Sequence, residues 1–171
     1  MSRLVRVASS VVFAVIAVRA GLLHAEDGKA IRWHTNAEDA WQAMRDKDRP
    51  LLLFVTAEGC RFCQEMKAQT YADRKIRSEV EGAFVALSVE ADVDVDEDWL
   101  AQIGVDSFPT TLIISPRSKL LERFEGFVEA KEMQPRLIKI AQEAKLDRAA
   151  RIASKPASPK SEGDGDAKSL K

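Results

Sequence analysis

An apolar run, Leu51–Thr56, leads through a short turn into Cys60-Arg61-Phe62-Cys63, the chain's only two cysteines. This junction constrains the fold more than any other stretch. A continuous run of this length suits a strand buried on both faces. The segment after the cysteines, Gln64-Glu65-Met66-Lys67-Ala68, suits a helix. Two thiols two residues apart at a helix's first turn can close a small disulfide ring. The unpaired N–H groups and the dipole there favour a thiolate on the first of them. Zinc sites use the same spacing but need four ligands. Only His34 remains beside the pair, because His24 lies in the amino-terminal segment discussed next. A purely structural bridge gains little from so short a loop. Thiol–disulfide exchange is the chemistry this pattern favours.

Arg3 and Arg6 precede an uncharged run, Val7–Val18, that Arg19 ends, and Leu23-His24-Ala25 offers a small residue before a cut. Residues 1–25 therefore read as an export signal. An uncleaved membrane anchor is the alternative, although a hydrocarbon core needs about 20 apolar residues. The expected location is periplasmic or secreted. The signal holds three of the 26 basic residues and none of the 27 acidic ones, so the remainder carries a net charge of −4. No basic excess is left to neutralise phosphates, which argues against nucleic acid as a partner. With one cysteine pair, the domain must be held by an apolar core.

Along the rest of the chain, Ile31–Trp33 reads as an edge strand, and Thr35-Asn36-Ala37-Glu38 matches a capping box for a helix through Lys47. The helix after Cys63 is expected to reach about Thr70, with a second from Asp73 through Val80. Ala83–Val89 and Thr110–Ser115 are further strands, and Asp96 caps a short helix over Glu97–Ile103. Leu120–Phe124 returns as a hairpin partner. A last helix is expected to start near Met133, which puts Pro135 in its first turn. The pattern fades from Asp147, so residues 28–146 read as one domain and 147–171 as a disordered tail. The order of elements predicts an α/β three-layer sandwich, a central mixed sheet flanked by helices. Trp33, Trp41 and Trp99 read as core or near-core aromatics. Glu90 to Asp98 holds six acids in nine residues, but a calcium loop would need glycine at 97 and glutamate at 103, where Glu97 and Ile103 stand. Solvated acids before a helix are the better reading.

Ala57-Glu58-Gly59-Cys60-Arg61-Phe62-Cys63, together with Ser107-Phe108-Pro109-Thr110, whose Pro109 lies 46 residues beyond Cys63, resembles the thioredoxin-like superfamily. Cys63-Gln64-Glu65-Met66-Lys67, with Thr70-Tyr71 and Asp73, is similar to exported members such as the carboxy-terminal domain of periplasmic disulfide reductases. The resemblance spans roughly Ile31 to Lys145. It implies that Cys60 is the attacking nucleophile, Cys63 the resolving thiol, and Pro109 a cis-proline. Beside that proline, the backbone of Phe108 would pair with an extended substrate. It also implies a protein thiol–disulfide oxidoreductase, reductive by preference, with protein thiols and disulfides as substrates. A membrane redox protein would reset it, no bound cofactor or metal is needed, and a monomer is expected. Arg61 and Phe62 are the candidate redox-tuning residues: a guanidinium beside Cys60 stabilises its thiolate, unless the arginine simply points to water. Phe62 offers an apolar contact.

The chain departs from thioredoxins proper at three places. Phe54 stands where they carry a buried aspartate, and Gly59 and Thr56 stand where they carry tryptophans. The proton acceptor for the resolving thiol is thereby removed, and Glu58 is either a substitute acting through water or a solvated loop carboxylate. Two other functions fit the same residues. One is a non-catalytic binding module using the Phe108-Pro109 edge. The other is a dithiol protein handling Cu(I).

Overall fold

The computed structural model describes residues 30–91 and 93–154. The expected export signal and the residues after Ser154 lie outside that range. Five strands form one sheet in the order β1-β3-β2-β4-β5: β1 (Trp33–His34), β2 (Leu51–Thr56), β3 (Val85–Glu90), β4 (Thr110–Ile114) and β5 (Leu120–Glu125). β1, β3 and β2 run parallel, whereas β4 and β5 run antiparallel to their neighbours. The helices are α1 (Ala37–Lys47), α2 (Arg61–Glu65), α3 (Arg74–Ala83), α4 (Glu97–Gln102) and α5 (Ala130–Ser154). This is the mixed-sheet α/β sandwich expected from the order of elements.

All six residues of β2 are buried, because helices cover both faces of the strand. The side-chain period of two sends Leu52 and Phe54 to one face. There they meet Cys63 and Met66, α3 (Ile76, Val80) and α5 (Met133, Leu137, Ile140). Leu51, Leu53 and Val55 point the other way, onto α1 (Ala40, Met44) and Leu100 of α4. Each such buried aliphatic side chain is worth about 1.5–3 kcal/mol, so β2 anchors both halves of the core.

Several boundaries differ from the sequence reading, each for a local reason. Asn36, not Thr35, caps α1: its side chain accepts the Asp39 N–H at 3.0 Å. α1 ends at Asp48, held in the left-handed region at φ 48°. The edge strand is shifted to Trp33–His34, pairing with Ala86 and Leu87. β3 begins at Val85, because Ala83 still belongs to α3 and Phe84 caps it. α2 passes after Glu65 into a π turn, Met66–Thr70, in which the Tyr71 N–H reaches back five residues to the Met66 carbonyl at 2.9 Å. The wider turn brings Tyr71 under Met66 into the core, where an α-helix would carry it aside.

α5 begins at Ala130 rather than Met133, so Pro135 sits in its second turn. Pro135 is exposed, which leaves the Lys131 carbonyl it cannot serve on the wet side of the helix. The same helix continues through residues 147–154, part of the segment expected to be disordered. Apolar patterning does not hold this extension. Arg151 reaches the Asp48 carboxylate at 2.5 Å and also pairs with Asp147. Trp33, Trp41 and Trp99 are all half-buried at the margins of the two core clusters, as read.

Candidate active site

Where β2 ends, the chain turns through Ala57–Gly59, with the Cys60 N–H donating to the Ala57 carbonyl at 3.3 Å. Gly59 takes φ +67° there, a conformation L side chains rarely adopt. This explains a glycine directly before the first cysteine, a turn requirement the sequence reading treated only as a missing tryptophan. Cys60 is the N-cap of α2, and Cys63 lies one turn inside it. The two sulfurs are joined in a disulfide with 5.3 Å between the Cα atoms. Cys60 Sγ also accepts the Cys63 backbone N–H at 3.1 Å. The pair is asymmetric: Cys63 is 2% exposed, whereas Cys60 is half-buried and reachable from outside. An incoming sulfur can approach Cys60, and Cys63 is placed to attack from within.

The Phe108–Pro109 peptide bond is cis, as the resemblance implied. Val55 is the register partner of Thr110, so Pro109 lies beside the end of β2 from which the cysteine turn emerges. Its carbonyl accepts the Gly126 N–H at 2.8 Å, and Thr110 Oγ1 donates to the Ser107 carbonyl at 2.7 Å. Phe108 is half-buried and touches both core clusters. The loop before it is clamped by Arg123, whose guanidinium donates to the Gly104 carbonyl at 2.7 Å and the Ile103 carbonyl at 2.9 Å. Sequence reading did not single out Arg123, because the contact spans about twenty residues and has no local signature.

Arg61 and Phe62 point outward. The Arg61 Nε donates to Glu65 Oε1 at 2.9 Å and the side chain is 83% exposed, so its charge is turned along the helix toward a carboxylate. Phe62 is 55% exposed. Glu58 is exposed on the loop, the solvated alternative of the two readings. Phe54 lies in an aromatic cluster, its ring 5.9 Å from Trp33 and 4.9 Å from Tyr71. Tyr71 Oη shares a hydrogen bond of 2.7 Å with Thr111 Oγ1, and burial pushes the Tyr71 phenol well above its ordinary range. Sequence reading missed the role of Tyr71, since the π turn that brings it inward leaves no trace in apolar spacing.

The acidic segment spends two carboxylates on backbone. Asp94 accepts the Glu90 N–H at 2.7 Å, and Asp96 caps α4 through the Trp99 N–H at 2.8 Å. Among the described residues no group of three or more His, Cys, Asp and Glu side chains gathers to hold a metal ion. No described helix is long and apolar enough to cross a membrane.

The profile of the thioredoxin-like domain family matches residues 37–141, most of the chain, and the chain belongs to that family. No curated protein matches the sequence. Among solved structures, a thioredoxin from Thermus thermophilus aligns with a TM-score of 0.60 at 21% identity, covering 70% of this chain and 93% of that one. The oxidised DsbD carboxy-terminal domain of Neisseria meningitidis aligns at 0.54 and 18% identity, covering 64% and 99%. The oxidoreductase DsbH aligns at 0.54 and 17%, covering 70% and 88%. At these identities the likeness shows the fold. A thioredoxin-like fold with a CxxC disulfide at the head of α2 suggests thiol–disulfide oxidoreductase activity.

Proposed function

We propose that this chain is an exported protein thiol–disulfide oxidoreductase that works in the reductive direction. The observation that carries the reading is the asymmetric pair: a reachable Cys60 sulfur held by α2's first turn, bonded to a buried Cys63. In the dithiol form the Cys60 thiolate attacks a substrate disulfide, whose S–S bond breaks as the mixed disulfide forms. The departing substrate sulfur takes up a proton. Cys63 then gives up its proton and attacks Cys60 Sγ, and the second substrate sulfur leaves as a thiol. Two electrons have moved from protein to substrate, and the Cys60–Cys63 disulfide remains. The pair carries the electrons itself, so no further cofactor enters, and a membrane dithiol protein resets it. The Phe108-Pro109 edge supports the backbone of an extended substrate beside Cys60. The amino-terminal pattern supports export. The reductive direction rests on the resemblance of Cys63-Gln64-Glu65-Met66-Lys67, with Thr70-Tyr71 and Asp73, to the carboxy-terminal domain of periplasmic disulfide reductases.

Turnover of a disulfide-bonded peptide by the purified protein, with a thiol donor in excess, tests the reading. Cys60→Ala must abolish it, and equal turnover by that variant sinks the proposal. Equilibration against defined thiol–disulfide buffers then settles direction. A potential near about −270 mV makes the protein an electron donor, and one near about −120 mV a disulfide donor.

One observation favours a non-catalytic binding module instead. Phe54 fills the buried position where thioredoxins carry a carboxylate, and among the described residues no acid joins it in the core cluster beside Cys63. Partner affinity unchanged in Cys60→Ser, together with no turnover, would establish that alternative.

A further inference from the structure

We infer that the redox face selects a cationic partner: an extended protein segment with an apolar side chain near its cysteine and lysine or arginine beside it. This rests on the redox reading above and specifies its substrate class. The carrying feature is an open, apolar-floored groove of about 450 Å³ lined by Ala91, Leu100, Ala101, Val105 and Phe108, with Glu97 and Asp106 on its rim. Phe108 is also the residue that precedes the cis-proline, so the groove continues directly from the edge offered to a substrate backbone.

Strand direction puts this groove at the disulfide's pole. β2 and β3 run parallel with Thr56 opposite Glu90, and the Ala91 N–H donates to the Thr56 carbonyl at 2.7 Å. The acidic segment therefore leaves the sheet where the cysteine turn leaves it. Glu58, Glu97, Asp98 and Asp106 are all exposed at this end, and among the described residues none of them has an ion-pair partner. The cations nearby are engaged or turned away. Arg61 is paired with Glu65, and Arg123 is spent on the Ile103 and Gly104 carbonyls with Glu125 at 3.8 Å. Lys67 lies over the Phe54 ring at 5.8 Å. Uncompensated carboxylates around a concave apolar floor focus a negative potential on the approach to Cys60, which speeds encounter with positive partners and repels negative ones. The apolar floor takes the side chain that desolvates on docking, and the rim sets the sign of charge around it.

The test compares two disulfide-bonded peptides, identical except that Lys-Lys or Glu-Glu follows a leucine beside the cysteine, with uncharged hydroxyethyl disulfide as reference. Oxidation rates of the reduced full protein are measured from low to high salt. The Lys peptide is expected to react about tenfold faster than the Glu peptide at low ionic strength, the ratio shrinking as added salt shortens the Debye length. In Glu97→Gln/Asp106→Asn the Lys:Glu ratio, each rate normalised to hydroxyethyl disulfide on the same variant, is expected to fall toward one. Equal rates for the two peptides, or a ratio untouched by the double substitution, overturn this inference while the redox reading stands. No reaction even with hydroxyethyl disulfide overturns the redox reading, and this inference with it.

Discussion

The backbone N–H of Cys63 points at the Sγ of Cys60, 3.1 Å away, so the second cysteine holds the first through its main chain as well as its side chain. On reduction the side-chain bond is lost, but the main-chain donor belongs to the helix and remains. It then faces a sulfur free to carry negative charge, the species that attacks.

This predicts unequal cysteines in the reduced protein. Limiting iodoacetamide at neutral pH should modify Cys60 at least about tenfold faster than Cys63, through thiolate character and access together. Peptide mapping of the singly alkylated protein reads the ratio. Equal labelling would remove the assigned roles.

Phe54 is fully buried against Trp33 and Tyr71. Truncation in Phe54→Ala should cost about 3–5 kcal/mol, read from denaturant midpoints. Phe54→Asp restores the carboxylate of thioredoxins proper but must bury it among rings, so it should be at least as destabilising at neutral pH. A stable Phe54→Asp protein would show that this pocket admits water or a counter-charge.

Tyr71 is the chain's only tyrosine, so tyrosinate absorbance reports on it alone. Burial raises its pKa in the fold, while the unfolded chain ionises near pH 10. Its contribution to stability is therefore complete below about pH 10 and is lost as the pH climbs through the raised folded value. Native protein at pH 10 should show almost no tyrosinate, and urea should reveal it. In Tyr71→Phe this alkaline slope should vanish. The variant should also lose about 1–2 kcal/mol at neutral pH, since Thr111 Oγ1 loses its buried partner.

Glu65 holds the Arg61 guanidinium in an exposed pair one helical turn away. Glu65→Gln frees that charge to lie nearer Cys60, stabilising the thiolate and with it the reduced state. The potential should become less negative by on the order of 10 mV, the scale of an exposed ion pair. A shift to more negative values would show that Arg61 does not act on the sulfur.

The parts legible in sequence were those whose cause is local. β2 announced itself because both its faces are covered, α4 because Asp96 caps it, and the cis-proline because Pro109 directly precedes a strand in a familiar motif. Contacts that close over distance left no mark. The π turn shares the Met66–Thr70 spacing of an ordinary helix, and only the bond from Tyr71 to Met66 reveals it. Arg123 reads as one more surface charge on a hairpin until its carbonyl partners are seen. The end of α5 lacks apolar periodicity because it has left the core, and its anchor, Asp48, lies about a hundred residues earlier.

That anchor has a practical side. β1 runs parallel to β2, so the domain's first strand starts at the pole opposite Cys60, and Arg151 ties the end of α5 to Asp48, just before β2 begins at that same pole. Both ends of the described domain leave from its back. Tethered by either one to a bead, an electrode or a lipid surface, the molecule would turn its sulfurs outward, with the acidic groove open to whatever diffuses past.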